Sequence, residues 1–139
     1  MGVAEVIEPA NSPDLRRFKA RGGKLLSYMG WSDAAGGVLA AVDFYETTER
    51  VMGGRAATQD FYRLFMVPGM GHCGGGYGPN RFDPLKSLEA WVEKGVAPEQ
   101  MIGSGNNMAR PLCAYPNVAR YKGTGDPNDA SNFQCAASR

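Results

Sequence analysis

An excess of charge of one sign is missing from this sequence: 15 Lys+Arg stand against 14 Asp+Glu in 139 residues. Neither nucleic acid nor an anionic membrane therefore has an electrostatic reason to bind, and neither is expected as a partner. No apolar run approaches the roughly 20 residues that a membrane-crossing helix needs. The opening Met1-Gly2-Val3-Ala4-Glu5-Val6-Ile7-Glu8 has no basic stretch followed by an apolar one. It is not a signal peptide, and any export signal is expected to have been removed or to lie upstream. Cysteine is scarce: Cys73, Cys113 and Cys135 are the only three, with no C-x-x-C pair of the zinc-ribbon or thioredoxin kind. No repeat, low-complexity tract or linker divides the chain, so residues 1–139 read as a single domain.

Glycine and proline are abundant: 19 and nine, about a fifth of the chain, against roughly 12% in average usage. Loops must be prominent. Of the odd number of cysteines one is left over. If Cys113 and Cys135 bridge, they close a loop of about 22 residues, which chain entropy makes worth roughly 3 kcal/mol and which implies an oxidising compartment.

Alternating elements follow. The string from Ser12 predicts a short helix, with Ser12 as N-cap, Pro13 in the first turn, Leu15 and Phe18 on one face and Gly22-Gly23 as the stop. Its basic residues Arg16, Arg17, Lys19, Arg21 and Lys24 read as a solvated face, since no aromatics interleave for base stacking. Lys24 to Met29 predicts a strand buried on both faces. Val38 to Met52 predicts an amphipathic crossover helix with Val38, Val42 and Tyr45 on one stripe and Leu39 beside it, stopped by Gly53-Gly54. Phe61 to Val67 predicts a second strand, followed by a loop from Gly69 to Gly78 with six glycines in ten residues. Asp83 as N-cap and Pro84 at the first turn open another helix, with Leu85, Leu88 and Val92 on its apolar stripe, Trp91 flanking it and Gly95 as its end. Gln100-Met101-Ile102 is a candidate last strand. Beyond Gly105 the chain reads as irregular, punctuated by Pro111, Pro116, Gly123, Gly125 and Pro127, and dependent on its disulfide. The fold class expected is α/β, a short parallel sheet flanked by helices with an irregular, disulfide-closed tail.

His72 is the lone histidine, set in Gly71-His72-Cys73-Gly74 just after a strand, where α/β folds place their sites and where flanking glycines let a base approach a substrate. Gly69 to Gly74 formally matches G-x-G-x-x-G, but Pro68 precedes it and Gly75-Gly76-Tyr77-Gly78-Pro79 follows. No helix N-terminus can form there for a pyrophosphate, so nucleotide binding is set aside. Asp33 follows the first strand in Gly30-Trp31-Ser32-Asp33, and neighbouring strand ends can bring its carboxylate to the imidazole. The plainer fate of such an Asp is a turn or helix cap. Asp43, Asp60 and Asp83 are weaker candidates. An Asp and then a His after successive strands is the order of the second half of an α/β-hydrolase triad, but none of the seven serines lies in G-x-S-x-G.

These residues resemble the tannase and feruloyl esterase family of α/β-hydrolases. The resemblance runs from Asp14 to Cys135: the segment ending Gly30-Trp31-Ser32-Asp33, the block Asp60 to Gly76 with its Gly69-Met70-Gly71-His72-Cys73-Gly74-Gly75-Gly76, then Leu88 to Pro98, then Arg110-Pro111-Leu112-Cys113 through Cys135. It implies a serine carboxylic-ester hydrolase acting on aromatic acid esters, feruloyl, galloyl or related. His72 would be the general base and Asp33 its orienting acid, and Cys73 would be half of a disulfide to a cysteine beside the nucleophile. Cys113 and Cys135 would pair with each other. By the same resemblance the serine, the oxyanion hole and a calcium-bearing lid lie before the Asp. The chain is therefore expected to be the C-terminal part of an α/β-hydrolase fold, inactive alone, without a cofactor of its own, from an extracellular or periplasmic parent. After Asp33, Ala34-Ala35-Gly36-Gly37 replaces the family's Pro and aliphatic residue. The alternative is a catalytically silent module whose open sheet edge pairs with another copy or with a separate N-terminal part.

Overall fold

The computed structural model describes residues 11–35 and 37–138; the reading of Met1 to Glu8 and the position of Gly36 lie outside them. The organising element is β2 (Tyr62–Val67), buried along its whole length. Strand periodicity splits its side chains into two sets. Tyr62, Leu64 and Met66 pack with Tyr45 and Phe61, while Phe65 and Val67 pack with Met70, Met101, Leu112 and Ala114. Each large side chain removed from water contributes about 1.5–3 kcal/mol. β2 is parallel to β1 (Leu25–Gly30), in the register Leu25 to Tyr62 through Gly30 to Val67. A short α1 (Arg16–Ala20) precedes β1, and the crossover between the strands carries α2 (Val38–Val51) and α3 (Arg55–Gln59).

Next comes α4 (Pro84–Lys94), with the expected termini: Asp83 accepts from the Lys86 amide at 2.9 Å, and Gly95 closes the helix at φ +69°. Its buried face is different. Trp91 is 3% exposed, whereas Leu85 and Val92 are each 62% exposed. The indole sets the phase, because Lys24 Nζ and the Arg63 guanidinium lie over it at 5.2 and 5.9 Å.

Three other expectations are corrected. β1 is not buried on both faces: among the described residues it pairs only with β2, and Tyr28 stays 42% exposed. α1 starts at Arg16 rather than after Ser12, because Asp14 Oδ1 accepts from the Arg16 amide at 3.2 Å and holds the preceding backbone in a local turn. The last third is not irregular. β3 (Gln100–Gly105) and β4 (Met108–Cys113) form an antiparallel hairpin, and β5 (Asn117–Tyr121) with β6 (Phe133–Ala137) forms another. The parallel pairing therefore stops at two strands. Asn106 and Asn107, at φ +49° and +58°, make the two-residue turn that suits an antiparallel hairpin.

Cys113 and Cys135 are bridged, with Cα atoms 5.6 Å apart, which ties β6 to the end of β4. The end of β4 in turn meets β2: the Tyr115 amide donates to Leu64 O at 2.8 Å, next to an antiparallel bridge between Phe65 and Ala114. No helix among the described residues is long and apolar enough to cross a membrane.

Candidate active site

The loops leaving β1 and β2 are hydrogen-bonded to each other before either reaches its functional residue. The Trp31 amide donates to Val67 O at 2.9 Å and the Ser32 amide to Met70 O at 3.0 Å. That approach requires glycine at 30, since a Cβ there would meet Gly71 O at 2.6 Å and the Met70 carbonyl carbon at 2.7 Å. Met70 is buried in the core and fixes the loop two residues before His72. Beyond His72 the chain doubles back, with the Gly78 amide donating to Gly69 O at 3.1 Å and Asn80 Nδ2 to Gly75 O at 2.9 Å. The next helix after the G-x-G-x-x-G match is α4, so the loop does not open a helix as a pyrophosphate site requires.

The doubled-back loop and the loop after β1 bring His72 and Asp33 together, Nδ1 to Oδ2, at 2.8 Å. Asp33 Oδ1 accepts from the Ala35 amide at 2.9 Å. The Asp33 side chain is wholly buried while the imidazole is 66% exposed. The hydrogen bond from His72 is the largest influence on the carboxyl and holds it below the usual carboxylate range; burial opposes this and the Ala35 amide adds to it. The ionised carboxylate can only accept, so in the neutral imidazole Nδ1 carries the proton and the Nε2 lone pair is left for an outside donor. The imidazole borders an open cleft of about 250 Å³ lined also by Tyr28, Met29, Met70 and Cys73. An oriented, unprotonated Nε2 at the edge of a cleft is equipped to take a proton from a hydroxyl.

The remaining sequence candidates lie elsewhere. Asp83 caps α4, Asp60 Oδ2 stands 3.9 Å from Lys19 Nζ, and Asp43 is on α2. Within the basic stretch Arg16 makes an exposed local pair with Asp14, while Lys19 donates to Ala57 O at 2.6 Å and Lys24 to Asp60 O at 2.7 Å, so two of the five cations tie this segment to another. Cys73 is a free, exposed thiol at φ +57°. Sequence reasoning missed Gly30 and the Ala35 amide. The signal for Ala35 was present, because an Asp in a turn often accepts from the amide two residues on.

Against known proteins, a model of the family described as "Tannase and feruloyl esterase" matches residues 2–136. The chain is 51% identical over 136 residues to a mono(2-hydroxyethyl) terephthalate hydrolase of Piscinibacter sakaiensis, covering 92% of this chain and 22% of that protein. It is 42% identical over 139 residues to a probable feruloyl esterase of Arthroderma benhamiae, covering 94% of this chain and 26% of that one. Among solved structures, feruloyl esterase B from Aspergillus oryzae superimposes with a TM-score of 0.81 at 30% identity, over 90% of this chain and 29% of that one. The chain thus spans about a quarter of the length of these relatives.

Proposed function

The chain belongs to the tannase and feruloyl esterase family, and on that footing we propose that it supplies the base, His72, and the orienting acid, Asp33, of a serine carboxylic-ester hydrolase. The observation that carries the proposal is the 2.8 Å contact between the exposed imidazole and the buried carboxylate. The nucleophile is a serine supplied by residues outside this sequence, so the chain acts as the C-terminal part of an α/β-hydrolase domain. His72 Nε2 takes the proton of the serine hydroxyl as its oxygen bonds the ester carbonyl carbon. The proton then passes to the leaving alcohol as the carbonyl–oxygen bond breaks. A water repeats the sequence on the acyl-enzyme, releasing the acid and restoring the serine. Asp33 holds the Nδ1–H tautomer and stabilises the imidazolium between steps. No step needs a cofactor.

Aromatic acid esters, feruloyl, galloyl or related, are the substrate class, supported by the names of the relatives. Cys73 is positioned beside His72 to bond a cysteine next to the serine, tying nucleophile to base. The Cys113–Cys135 bridge supports an extracellular or periplasmic parent. The test is a chain extended by the coding sequence upstream of Met1, assayed on methyl ferulate, methyl gallate and mono(2-hydroxyethyl) terephthalate. Hydrolysis of at least one should be abolished by His72→Ala. Hydrolysis indifferent to that change would overturn the assignment.

One observation favours a second reading, an association module. The outer edge of β1, with Leu26, Tyr28 and Gly30, has no strand partner among the described residues. An open edge recruits another strand, from a second copy or a separate N-terminal part. A monodisperse monomer by light scattering at high concentration would exclude self-pairing.

A further inference from the structure

We propose that the groove between the glycine loop and the last two hairpins is a second ligand site, which holds an aromatic carboxylate through Arg110. Arg110 lies on β4 opposite Gly103, so the residue paired with it on β3 offers no side chain. Its guanidinium rests on the Phe133 ring, 4.3 Å from the centroid, and Nη1 donates to Ala109 O at 2.8 Å. No carboxylate pairs with it among the described residues. The cation is therefore held in place by two contacts, with most of its five N–H donors unused.

What surrounds it selects the ligand. The groove, about 370 Å³, is lined by Pro68, Pro79, Met108, Tyr77 and Phe133, apolar and mostly flat surfaces with Arg110 the one charged group. That volume lies in the range of about 300–1,000 Å³ usual for small-molecule sites. A planar ring stacks on such walls while a carboxylate takes two parallel hydrogen bonds from a guanidinium. Phosphate is disfavoured, because a doubly charged anion finds a single cation there, among apolar walls that offer it no further charge. The groove and the His72 cleft have no lining residue in common: Gly69, Tyr77 and Gly78 border the groove, and Met70, His72 and Cys73 border the cleft. The source of the ligand rests on the proposed function, since ester cleavage there releases an acid of this class; the binding itself does not.

The test is calorimetric titration of the 139-residue chain with ferulate, and with methyl ferulate and ferulamide as uncharged isosteres. Ferulate should bind at least about tenfold more tightly than either isostere, as expected for a charge-assisted pair. Arg110→Gln should lower ferulate affinity by a similar factor, and His72→Ala should leave it unchanged. Equal binding of acid and isosteres, no binding at millimolar ferulate, or loss with His72→Ala but not with Arg110→Gln would overturn the proposal. Should Arg110→Gln fail to fold, the comparison of acid with isosteres in the unaltered chain still decides. Because the readout is binding, it is independent of whether the extended chain hydrolyses esters.

Discussion

Gly30→Ala tests how the site is assembled, because one methyl group is aimed at the carbonyls that join the two loops. Gly30 ends β1 with extended backbone, so glycine is required there for space rather than for conformation. A Cβ would stand 2.6 Å from Gly71 O and 2.7 Å from the Met70 carbonyl carbon. Both neighbours are backbone, and neither can swing aside as the end of a side chain would. Overpacking of a well-filled site costs typically 1–3 kcal/mol, and the rigid opposition puts this case at about 3 kcal/mol. For a chain of this size that lowers the melting temperature by roughly 10 °C. Relief can come only by pushing the glycine loop outward, which lengthens the Ser32 amide to Met70 O bond and carries His72 away from Asp33. Gly95→Ala is the control: its φ of +69° strains any side chain, but nothing stands within 4 Å of the new Cβ. It should cost about 1–2 kcal/mol and leave the imidazole where it is. Thermal denaturation by circular dichroism gives the energies, and the imidazole nitrogen resonances report the contact. A Gly30→Ala chain that melts with the unaltered one and keeps its His72 signature would refute the close approach.

Three further outcomes are expected. Asp33→Asn should alter the acid limb of the stability profile. The native carboxyl is held below its ordinary value of 3.8, chiefly by His72, so its contribution is present above that value and is lost as pH falls through the lower folded value. The Asn chain should lack that loss in acid titrations followed by fluorescence, and in the extended enzyme its kcat should fall roughly 10⁴-fold. Reduction of Cys113–Cys135, or Cys113→Ala with Cys135→Ala, should cost roughly 3 kcal/mol for a 22-residue span; hydrogen exchange should show the loss in β5 and β6 before β2, and unchanged exchange there would contradict it. The 139-residue chain alone should show at most trace turnover of an activated ester. Multiple turnovers abolished by His72→Ala would mean that a nucleophile lies within it.

The parts of the molecule legible in the sequence are those governed by local chemistry. The termini of α4 follow from Asp83, Pro84 and Gly95, each of which acts within one turn. β1, α2 and β2 were placed to within a residue by apolar runs and glycine stops. The failures concern partners in space. The Leu85, Leu88, Val92 stripe has a helical period, but period does not say which face meets the core, and Trp91, stacked under Lys24 and Arg63, decided otherwise. The antiparallel hairpin was hidden by Gly103 and Gly105 within β3 and by Pro111 within β4, although the paired left-handed asparagines were a signal. β5 and β6 are short, partly exposed strands, and the bridge that ties β6 to the end of β4 joins residues 22 apart in sequence. The neighbourhood of Asp33 and His72 followed from two parallel strand ends, whereas the close packing at Gly30 that sets their separation depends on tertiary geometry.

The proton between His72 and Asp33 is the centre of the proposed chemistry, and nitrogen-15 NMR of the lone imidazole, taken where the ring is uncharged, observes it directly. Nδ1 should carry a strongly downfield-shifted proton and Nε2 should be unprotonated, with Asp33→Asn abolishing that preference. An imidazole with the tautomer mixture of a free histidine, the same in both chains, would contradict it.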